Sequence, residues 1–576
     1  MKLSTRLILC RRKRQTTSGI VLVAALGCPF IASAAAQTGA PVRTAPGVEA
    51  AGMVQIAATE REVGSSPAER MELAKRFACD PTWFNDDLDK HTARLPAFWI
   101  DRTPISNRQY GEYVVATGGR APWPGGWYAA ETADHPVVDI NHVEAAAYAA
   151  WAGKRLPTAE EWEVAVRSER AGLFPWGNDW PGPVQSDNRA KIPDWRAPAT
   201  DRLGTRRHGE SAAGMEDFIQ QVCEWTGTTR PHHGTTFVAV KGSSWLQSDP
   251  VEFRTAATSW AMASFATPWI GFRCALDGDR QPVAPPSAAA TATTVRTASL
   301  PQPASLPTTK EIQVWPLRDA PEAVAVRLLD WTKRFLEAGR PAGSPPLRGF
   351  LLQSDALGAW PVALFLAEAM YWKGAPVLSR LGEVDPMLQV GKNPTGRPRY
   401  SLHFPELDVT FEFVAGRDCV DLVTQVTNRS TTDGEFLTSS CFSLTNHPLF
   451  YDCEMLRTYL WTRDRGFVSL RQIPRPGDCI RWITSSESAP FGGPGVPGTM
   501  AVVSRDGYWT FASARLEGDA TYRLSGNTWL NCLHTDAAVM VAAQATRTTR
   551  QRLYFLPGGL AALEARLRND RADGAL

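Results

Sequence analysis

The sequence predicts an α+β protein in which an irregular mixed domain precedes a mainly β, sandwich-like domain. Residues 280–309 are rich in Pro, Ala, Ser and Thr and lack an apolar period, which indicates a linker. Before this linker, short helical patterns stand among many glycines, prolines and tryptophans. Beyond it, apolar and polar residues alternate over 407–413, which is typical of a half-buried strand. We therefore expect one domain at 51–279 and another at 310–576.

Composition places the chain among globular, multi-domain proteins. Its 576 residues are 44% hydrophobic, which suffices for buried cores and excludes a wholly disordered chain or a disulfide-only miniprotein. The 61 Lys and Arg nearly balance the 59 Asp and Glu. A net charge of +2 gives no general electrostatic reason to expect a nucleic-acid partner.

Residues 1–36 have the pattern of an export signal. Basic residues at 11–14 precede an apolar run at 20–27 and small residues that fit an A-x-A cleavage site. A spacer at 37–50 follows. One alternative is a membrane anchor, but the apolar run is shorter than the roughly 20 residues that span a bilayer. Another is lipid attachment at Cys28, which Leu26 and Pro29 fit badly. We expect a periplasmic or secreted protein with no transmembrane helix after signal removal.

Eight cysteines remain beyond the signal. An oxidising compartment permits disulfides among them, and the sequence leaves their pairing open. The chain has no C-x-x-C motif and no zinc-finger spacing of Cys and His, which argues against a closed structural zinc site. The eight are Cys79, Cys223, Cys274, Cys419, Cys441, Cys453, Cys479 and Cys532.

Two short helices are predicted in the first domain. One spans about 142–151, with Asn141 as its cap and an end near Gly153. The next begins after Thr158, because Thr158 and Glu161 have the spacing of a capping box. The remainder of this domain is expected to form loops between short strands.

The second domain is predicted to be an antiparallel sandwich with peripheral helices. Helices are expected at 321–339 and 357–372, and strands at 407–413 and 420–426. Further strands are expected to about residue 555. A terminal helix should carry Leu560, Leu563 and Leu567 on one side.

An ordered series of short motifs runs along the first domain. The motifs are Phe98-Trp-Ile-Asp101, Pro104-Ile-Ser-Asn107, His135-Pro-Val-Val138, the run at 151–163, Glu224-Trp-Thr226, Lys241-Gly-Ser-Ser-Trp245 and Gly271-Phe-Arg273. This series resembles the formylglycine-generating enzyme, or sulfatase-modifying factor, family. The resemblance covers 51–279, and its most specific part is WAGKRLPT followed by EW. It implies an irregular α+β fold related to C-type lectins.

The resemblance raises the question of whether this chain has the copper ligands of the family. Oxidases of this family hold Cu(I) between two thiolates and use O₂ to convert a substrate cysteine to formylglycine. Those cysteines lie between the Gly-Gly-Ser-aromatic motif and the next Arg, but residues 242–254 of this chain contain none. Gln247, Asp249 and Glu252 offer hard oxygen atoms instead, which suit Cu(I) poorly. Cys274 matches a structural family position whose usual disulfide partner is replaced at Ala149. Copper oxidase chemistry is therefore not expected.

The resemblance also implies a calcium loop. The family loop binds Ca²⁺ through two side chains and intervening carbonyls, which correspond here to Asp217, Gln220, Val222 and Glu224. Hard oxygen donors are what Ca²⁺ selects. Gln220 replaces a glycine, which puts the loop conformation in question. The alternative is a loop without an ion, in which Glu224 bonds to backbone amides.

Aromatic residues are a further candidate binding surface. Trp123, Trp127, Trp176, Trp180 and Trp245 are able to line a sugar or peptide groove, although core packing is the alternative for most of them.

Two polar clusters interrupt the strands of the second domain. Histidines with carboxylates at strand ends are suited to sugar recognition or acid–base chemistry. The alternative is that these groups satisfy one another at the corners of the sandwich. The candidate ligand-binding residues are His447, Asp452, Glu454, Arg457, Asn531, His534 and Asp536.

Two functions follow from this reading. The favoured one is an exported binding or accessory scaffold without copper oxidase activity, which takes a carbohydrate or protein ligand. The alternative is a metal-dependent oxidoreductase of the formylglycine-generating or non-haem iron type, acting on a thiol, peptide or siderophore-type substrate. The iron sulfoxide synthases of the wider family carry their ligands on a His-rich helical bundle, which this sequence does not show. Thiols from elsewhere in the chain, such as Cys223 and Cys274, that converge on a ligand-sized cleft would contradict the scaffold reading.

Overall fold

The computed structural model describes 49–50, 52–123, 126–167, 172–180, 200–205, 209–232, 235–247, 249–282, 311–316, 319–321, 349–354, 361–378, 389–444, 447, 449–452, 455–462, 465–474, 481–485, 498–504, 507–515, 521–527 and 532–572. The predicted signal and the helix predicted at 321–339 lie outside these residues. No helix among them combines the length and the apolar character needed to cross a bilayer. Residues 49–282 are called the first half below, and 311–572 the second half.

The first half combines short helices with small sheets. Its described strands form the orders β1-β2-β5-β10, β3-β4 and β8-β7-β6-β9. Pairing is antiparallel except between β6 and β9. The strands are β1 (Glu49–Ala50), β2 (Met53–Ile56), β3 (Thr59–Val63), β4 (His91–Leu95), β5 (Phe98–Asp101), β6 (Cys223–His232), β7 (Thr235–Lys241), β8 (Ser259–Met262), β9 (Ile270–Phe272) and β10 (Ala275–Asp277). The helices are α1 (Pro67–Phe77), α2 (Asn107–Thr117), α3 (His142–Trp151) and α4 (Ala159–Val166), with 3₁₀ turns at Pro81–Phe84, Ala130–Thr132 and Pro250–Phe253.

Capping boxes begin all four of these helices, with caps at Ser66, Ser106, Asn141 and Thr158. In each, the cap side chain accepts from the third helical amide and the third side chain accepts from the cap amide. Both predicted helices are therefore confirmed, and Gly153 follows α3 in the left-handed region at φ 70°.

The second half consists almost entirely of two antiparallel sheets in its described residues. One has the order β11-β12-β13-β19-β26-β25-β22, with β14 also paired to β13, and the other β15-β16-β17-β18-β27-β24-β23-β20-β21. The strands are β11 (Gln313–Pro316), β12 (Gly349–Gln353), β13 (Val362–Trp372), β14 (Ala375–Leu378), β15 (Gln389–Lys392), β16 (Pro398–His403), β17 (Leu407–Ala415), β18 (Cys419–Asn428), β19 (Gly434–Ser443), β20 (Thr458–Thr462), β21 (Gly466–Ser469), β22 (Arg481–Ser485), β23 (Thr499–Val503), β24 (Trp509–Arg515), β25 (Thr521–Asn527), β26 (Cys532–Val541) and β27 (Thr546–Pro557). A 3₁₀ turn spans Leu470–Gln472, and helix α5 spans Leu560–Ala572.

Both sheets contribute to one hydrophobic core. Phe442 and Leu533 of the β19–β26 sheet lie in the same cluster as Val409, Leu422 and Phe511 of the other sheet. The strands predicted around 407–426 and the terminal helix are confirmed. Leu563 and Leu567 of that helix are buried in a separate, smaller cluster that includes Tyr554. The mainly β character of this half is therefore as expected.

The helix predicted at 357–372 is wrong, because this segment contains strand β13. Its neighbours in the sheet alternate between two buried faces. On β12, Phe350 and Leu352 enter the core between the sheets, whereas Leu351 joins the core of the first half. On β13, Val362 enters the core between the sheets, whereas Ala363 joins the core of the first half. A strand buried on both faces has a continuous apolar run, which the sequence pattern does not distinguish from a buried helix.

The two halves belong to one compact unit that extends from Pro46 to Leu576. Trp83 of the first half packs into the core of the second half and donates from Nε1 to the carbonyl oxygen of Ile473 at 3.1 Å. In the opposite direction, Arg471 is buried and pairs with Asp249 at 2.7 Å and Glu252 at 3.3 Å. The predicted domains therefore share an interface with both apolar and charged contacts.

A buried ion pair joins α4 to β7. Glu163 and Lys241 are both fully buried, and Lys241 Nζ lies 3.0 Å from Glu163 Oε2. Lys241 also donates to the Thr255 carbonyl and the Thr258 hydroxyl. Burial by itself raises the pKa of Glu163, but Lys241 and Arg167 outweigh it and hold that pKa below its ordinary value. The carboxylate is therefore charged in the folded protein.

We expect Lys241→Met to lower the free energy of unfolding by about 3 kcal/mol at pH 7, because it leaves a buried carboxylate with less compensation. The deficit should narrow as the pH falls, since protonated Glu163 no longer needs a cation. Urea unfolding at pH 7 and at a lower pH measures the free energy of unfolding of each variant. The matched control is Lys75→Met, which removes an exposed pair with Glu72 and should cost less than about 1 kcal/mol. Equal losses in the two variants would contradict the argument.

Candidate functional site

The family motifs of the first half meet in a buried polar network around Arg273. Its guanidinium pairs bidentately with Glu224, with Nε–Oε2 and Nη2–Oε1 distances of 2.7 and 2.8 Å. Trp162 Nε1 donates to the same Glu224 Oε2 at 2.8 Å. Arg273 also donates to the carbonyls of Asp101 and Arg102. The motif residues therefore hold distant parts of the chain together.

Lys154 and Arg155 of the WAGKRLPT run pair with carboxylates. Lys154 lies 2.6 Å from Asp101, and Arg155 lies 2.7 Å from Glu161 and 2.9 Å from Asp277. Glu161 is buried and also caps α4, so one carboxylate both begins the helix and pairs with Arg155. These residues are structural in the described geometry.

The loop predicted to bind calcium is buried. Asp217 and Gln220 adopt left-handed φ angles of 58° and 55°, so Gln220 takes the conformation of the glycine that it replaces, at a cost of about 1 kcal/mol. Asp217 Oδ2 accepts from the Gly204 amide at 2.5 Å, whereas its Oδ1 is buried without a hydrogen bond. Burial raises the pKa of Asp217 above its ordinary value, although the Gly204 amide and Arg273 oppose the shift.

The donor set of this loop fits a cation in part. Glu224 accepts three hydrogen bonds, so one of its roughly four lone-pair sites remains. Val222 is buried beside it, and the Gln220 amide donates to Ser243 Oγ at 3.2 Å. The contacts of Glu224 are to a guanidinium and an indole rather than to the backbone amides of the alternative. The calcium site stays a prediction.

The stretch that holds copper-binding thiolates in the family is occupied by hydrogen-bonded polar groups. Gln247 Nε2 lies 3.3 Å from Glu252 Oε2, and Gln247 Oε1 accepts from the Ser244 amide at 2.6 Å. Asp249 caps the turn at Pro250–Phe253 through the Val251 amide. Arg471 of the second half then binds both Asp249 and Glu252.

Two thiols of the first half lie near this stretch. Cys79 is close enough to Asp249 and Arg471 to be affected by their charges, and burial raises its pKa to about 11. Cys223 Sγ is 3.3 Å from Gln247 Oε1, and burial raises its pKa far above the ordinary thiol value.

Cys274 lies beside Asp101 and Lys154, and burial raises its pKa as well. Cys223 and Cys274 are free thiols, and each is held in its own surroundings. The raised pKa values keep both thiols protonated while no metal is bound.

Of the candidate aromatic residues, Trp176 remains the most accessible. Trp245 is buried, and Trp123 donates to Asn107 and packs on Tyr128. Trp176 is 37% exposed and stacks on Phe174, with ring centroids 5.3 Å apart. Trp180 lies 6.0 Å from Trp176, and Trp127 is half-buried.

A cavity of about 490 Å³ is lined by Leu173 and Asn178, which flank this aromatic group in the chain, although the aromatic rings themselves do not line it. Arg76 connects the two, because it lies over the Phe174 ring and donates to the Asn178 carbonyl at 2.8 Å. The wall combines carboxylates with guanidinium groups, a lining suited to a polar ligand. The charged or amide-bearing wall residues are Glu69, Glu72, Arg76, Arg167, Asn178 and Arg254.

The candidate residues of the second half lie in two buried networks. In the first, Asp452 accepts from the Arg457 amide at 2.8 Å and from the Thr458 hydroxyl at 2.8 Å. Arg457 donates to the Leu449 carbonyl, and His447 Nδ1 accepts from the Leu449 amide. These are contacts among neighbours, of the kind that the corner-packing alternative describes.

The second network contains His534, which lies on β26 with Asp536. Both residues are buried. Glu454 and Asn531 lie outside the described residues. Sugar binding by this set stays a prediction.

Sequence reasoning missed a convergence of sulfur and nitrogen atoms on the β19–β26 sheet. Ligand atoms of Cys441, Cys532 and His534 all lie within 4.8 Å of one another. The available signal was Cys532-x-His534, because residues two apart on a strand share a face. Cys441 is distant along the chain, and the strand pairing that brings it close is not readable from the sequence.

Comparisons with known proteins agree with the motif series. A family model described as a sulfatase-modifying factor enzyme 1-like domain matches residues 39–278. The formylglycine-generating enzyme of Thermomonospora curvata is 30% identical over 274 residues, covering 34% of this chain and 88% of that protein.

Two other relatives are matched over shorter parts of their length. The inactive C-alpha-formylglycine-generating enzyme 2 of Mus musculus is 32% identical over 164 residues, or 26% of this chain and 52% of that protein. Hercynine oxygenase of Mycolicibacterium smegmatis is 32% identical over 190 residues, or 27% of this chain and 43% of that protein. Among solved structures, PvdO from Pseudomonas aeruginosa aligns with 39% of this chain and 94% of its own, at 21% identity and a TM-score of 0.30.

The motif residues that meet around Arg273 are thus the ones that the matched segment contains. Through residues 39–278, this chain belongs to the sulfatase-modifying factor, or formylglycine-generating enzyme, family.

Proposed function

We propose that this protein is a binding or accessory member of its family and does not carry out copper-dependent thiol oxidation. The observation that carries the proposal is the contact between Gln247 and Glu252, at 3.3 Å, within the 242–254 stretch. Cu(I) requires soft sulfur ligands, whereas an amide and a carboxylate are hard. The predicted export signal would place this activity in the periplasm or outside the cell.

Arg471 strengthens this argument through its charge. It is buried against Asp249 and Glu252, so the carboxylates of this stretch are already neutralised by a guanidinium from the second half. Bringing a metal cation to the same place would require breaking these pairs and burying an additional positive charge. One relative at 32% identity is named an inactive enzyme, which is compatible with loss of oxidase activity in a related chain.

We expect no copper-dependent oxidation of thiols by the purified full chain. The measurement is O₂ uptake with Cu(I) and a cysteine-containing peptide, followed by mass spectrometry of the peptide. The control is Arg471→Leu, which removes the guanidinium from Asp249 and Glu252 without adding sulfur and should remain inactive. Stoichiometric, peptide-dependent O₂ uptake by the unmodified protein would establish the oxidoreductase alternative instead.

The cavity beside Trp176 is the proposed ligand site. Sugars present both hydroxyl groups and apolar ring faces. The carboxylates and guanidinium groups of the wall suit the hydroxyl groups, and an exposed indole ring suits the ring face. Oligosaccharide is therefore the ligand class that we propose, with an extended protein segment as the other outcome of the same binding assay.

We expect Trp176→Ala to weaken oligosaccharide binding about tenfold, equivalent to about 1.4 kcal/mol. Glycan-array screening followed by calorimetric titration of the strongest hit measures the change. Tyr508→Ala is the matched control, because Tyr508 is an exposed aromatic residue of the second half, with 73% of its surface accessible. A peptide hit with no glycan hit, or equal binding by the two variants, would overturn the sugar assignment.

We also propose that the 217–224 loop binds Ca²⁺. The support is Asp217 Oδ1, a buried carboxylate oxygen without a hydrogen bond. Glu224 would keep its ion pair with Arg273 and offer only its remaining acceptor position. Oxygen donors at this position match the preference of Ca²⁺. A bound Ca²⁺ would compensate the charge that burial disfavours at Asp217, and it would fix the backbone through Gln220 and Val222.

We expect Asp217→Asn to abolish the rise in melting temperature that Ca²⁺ produces in the unmodified protein. In chelator the variant should be as stable as the unmodified protein or more so at pH 7, because the pKa of Asp217 is raised and its charge destabilises the ion-free fold. For the same reason, the ion-free protein should gain stability as the pH falls toward that pKa. Glu131→Gln, at an exposed position, should retain the Ca²⁺ effect. A Ca²⁺ effect that survives Asp217→Asn would place the ion elsewhere.

A further inference from the structure

Three potential metal ligands converge on the sheet face that meets the first half. The Sγ atoms of Cys441 and Cys532 and a ring nitrogen of His534 all lie within 4.8 Å of one another. The three residues are buried, with 1 to 3% of their surface exposed. Cys441 and Cys532 belong to the hydrophobic cluster that contains Trp269 of the first half and Tyr451 of the second. The site therefore lies inside the protein, at the interface of its halves.

The register of the sheet explains this convergence. β19 and β26 are antiparallel, with Thr438 opposite Ala537 and Phe442 opposite Leu533. Continuing that register places Cys441 opposite His534. Cys532 precedes His534 by two residues and so shares its face. The pleat therefore presents all three side chains on one side.

The imidazole is oriented as it is in metal sites. Ser439 Oγ lies 3.1 Å from His534 Nδ1, which leaves Nε2 directed at Cys532 Sγ, 3.2 Å away. A metal-binding histidine commonly uses its second ring nitrogen in a hydrogen bond of this kind, which fixes the tautomer and the ring plane. Ser439 is therefore a positioning residue for His534.

The same geometry disfavours a disulfide. Cys441 and Cys532 are diagonal neighbours on adjacent strands, and such pairs lie about 7–8 Å apart at the backbone. A disulfide requires Cα atoms within about 7 Å and side chains that point at each other. The two thiols can approach a common ion without moving the strands, because a tetrahedral Zn²⁺ separates its sulfur ligands by about 3.8 Å.

We propose that Cys441, Cys532 and His534 bind one thiophilic d¹⁰ cation, Zn²⁺ or Cu⁺. Two thiolates and a neutral imidazole are soft and borderline ligands, which select these ions over Ca²⁺ or Mg²⁺. With Zn²⁺, two thiolates cancel the ion's charge, so that the assembled site is neutral where it is buried. Three protein ligands leave a fourth coordination position open. The site is separate from the 242–254 stretch, so it holds whether or not the proposed function is correct.

The test is metal binding by the full chain, purified and reduced without oxygen. We expect about one Zn²⁺ or Cu⁺ per chain by elemental mass spectrometry, which also distinguishes the two ions. Reconstitution with Co²⁺ should give the thiolate-to-metal charge-transfer band and the visible bands of tetrahedral coordination. Cys532→Ser and His534→Gln should lose the stoichiometric metal and change or lose the cobalt spectrum.

Cys419→Ser is the matched control, because Cys419 is a free, half-buried thiol on the opposite sheet and should leave metal binding unchanged. Circular dichroism of each variant separates loss of the metal from loss of the fold, and the cobalt spectrum of the unmodified chain does not depend on any variant folding. The proposal is overturned if the reduced chain binds no stoichiometric soft metal, or if Cys532→Ser retains it. A Cys441–Cys532 disulfide in the unreduced protein, found by peptide mapping, would also overturn it.

Discussion

The structure depends on one sheet that is buried on both faces. Strands β12, β13, β19 and β26 send alternate side chains into the core between the sheets and into the core of the first half. Phe442 and Leu533 lie on the inner side, whereas Cys441 and Cys532 lie on the outer side. Because a strand has a period of two, the same strands that close the sandwich with one set of side chains form the docking surface with the alternate set. The two halves therefore act as one body rather than as domains on a free linker.

Several residues of the family motifs form structural ion pairs, and one short stretch near them contacts the second half. Arg273 with Glu224, and Lys241 with Glu163, hold the first half together through buried charge pairs. Arg471 extends this arrangement across the interface to Asp249 and Glu252. Where the family places thiolates, this chain has a salt-bridged contact with its own second half. The stretch without cysteine at 242–254 is thus the same one that contacts Arg471 of the second half.

Local signals predicted much of the fold. Asn141 as a cap predicted α3 and a capping box at Thr158 predicted α4, because a cap depends on residues only a few positions apart. Alternation predicted β17 and β18 for a similar reason. The segment at 357–372 failed because apolar residues on both faces erase the period that separates strand from helix. The motif series predicted the family, yet it did not reveal that Glu224 is bound by Arg273 and Trp162.

The sequence by itself determined the family of the first half, the start of its helices, the β character of the second half and the lack of cysteine in 242–254. Each of these rests on residue types or on spacings within a few positions. Only the tertiary structure decided that Arg471 reaches Asp249 and Glu252, and that Cys441 meets His534 across two strands. Such contacts depend on strand register and on docking between halves, which arise from the packing of the whole chain and not from any local pattern.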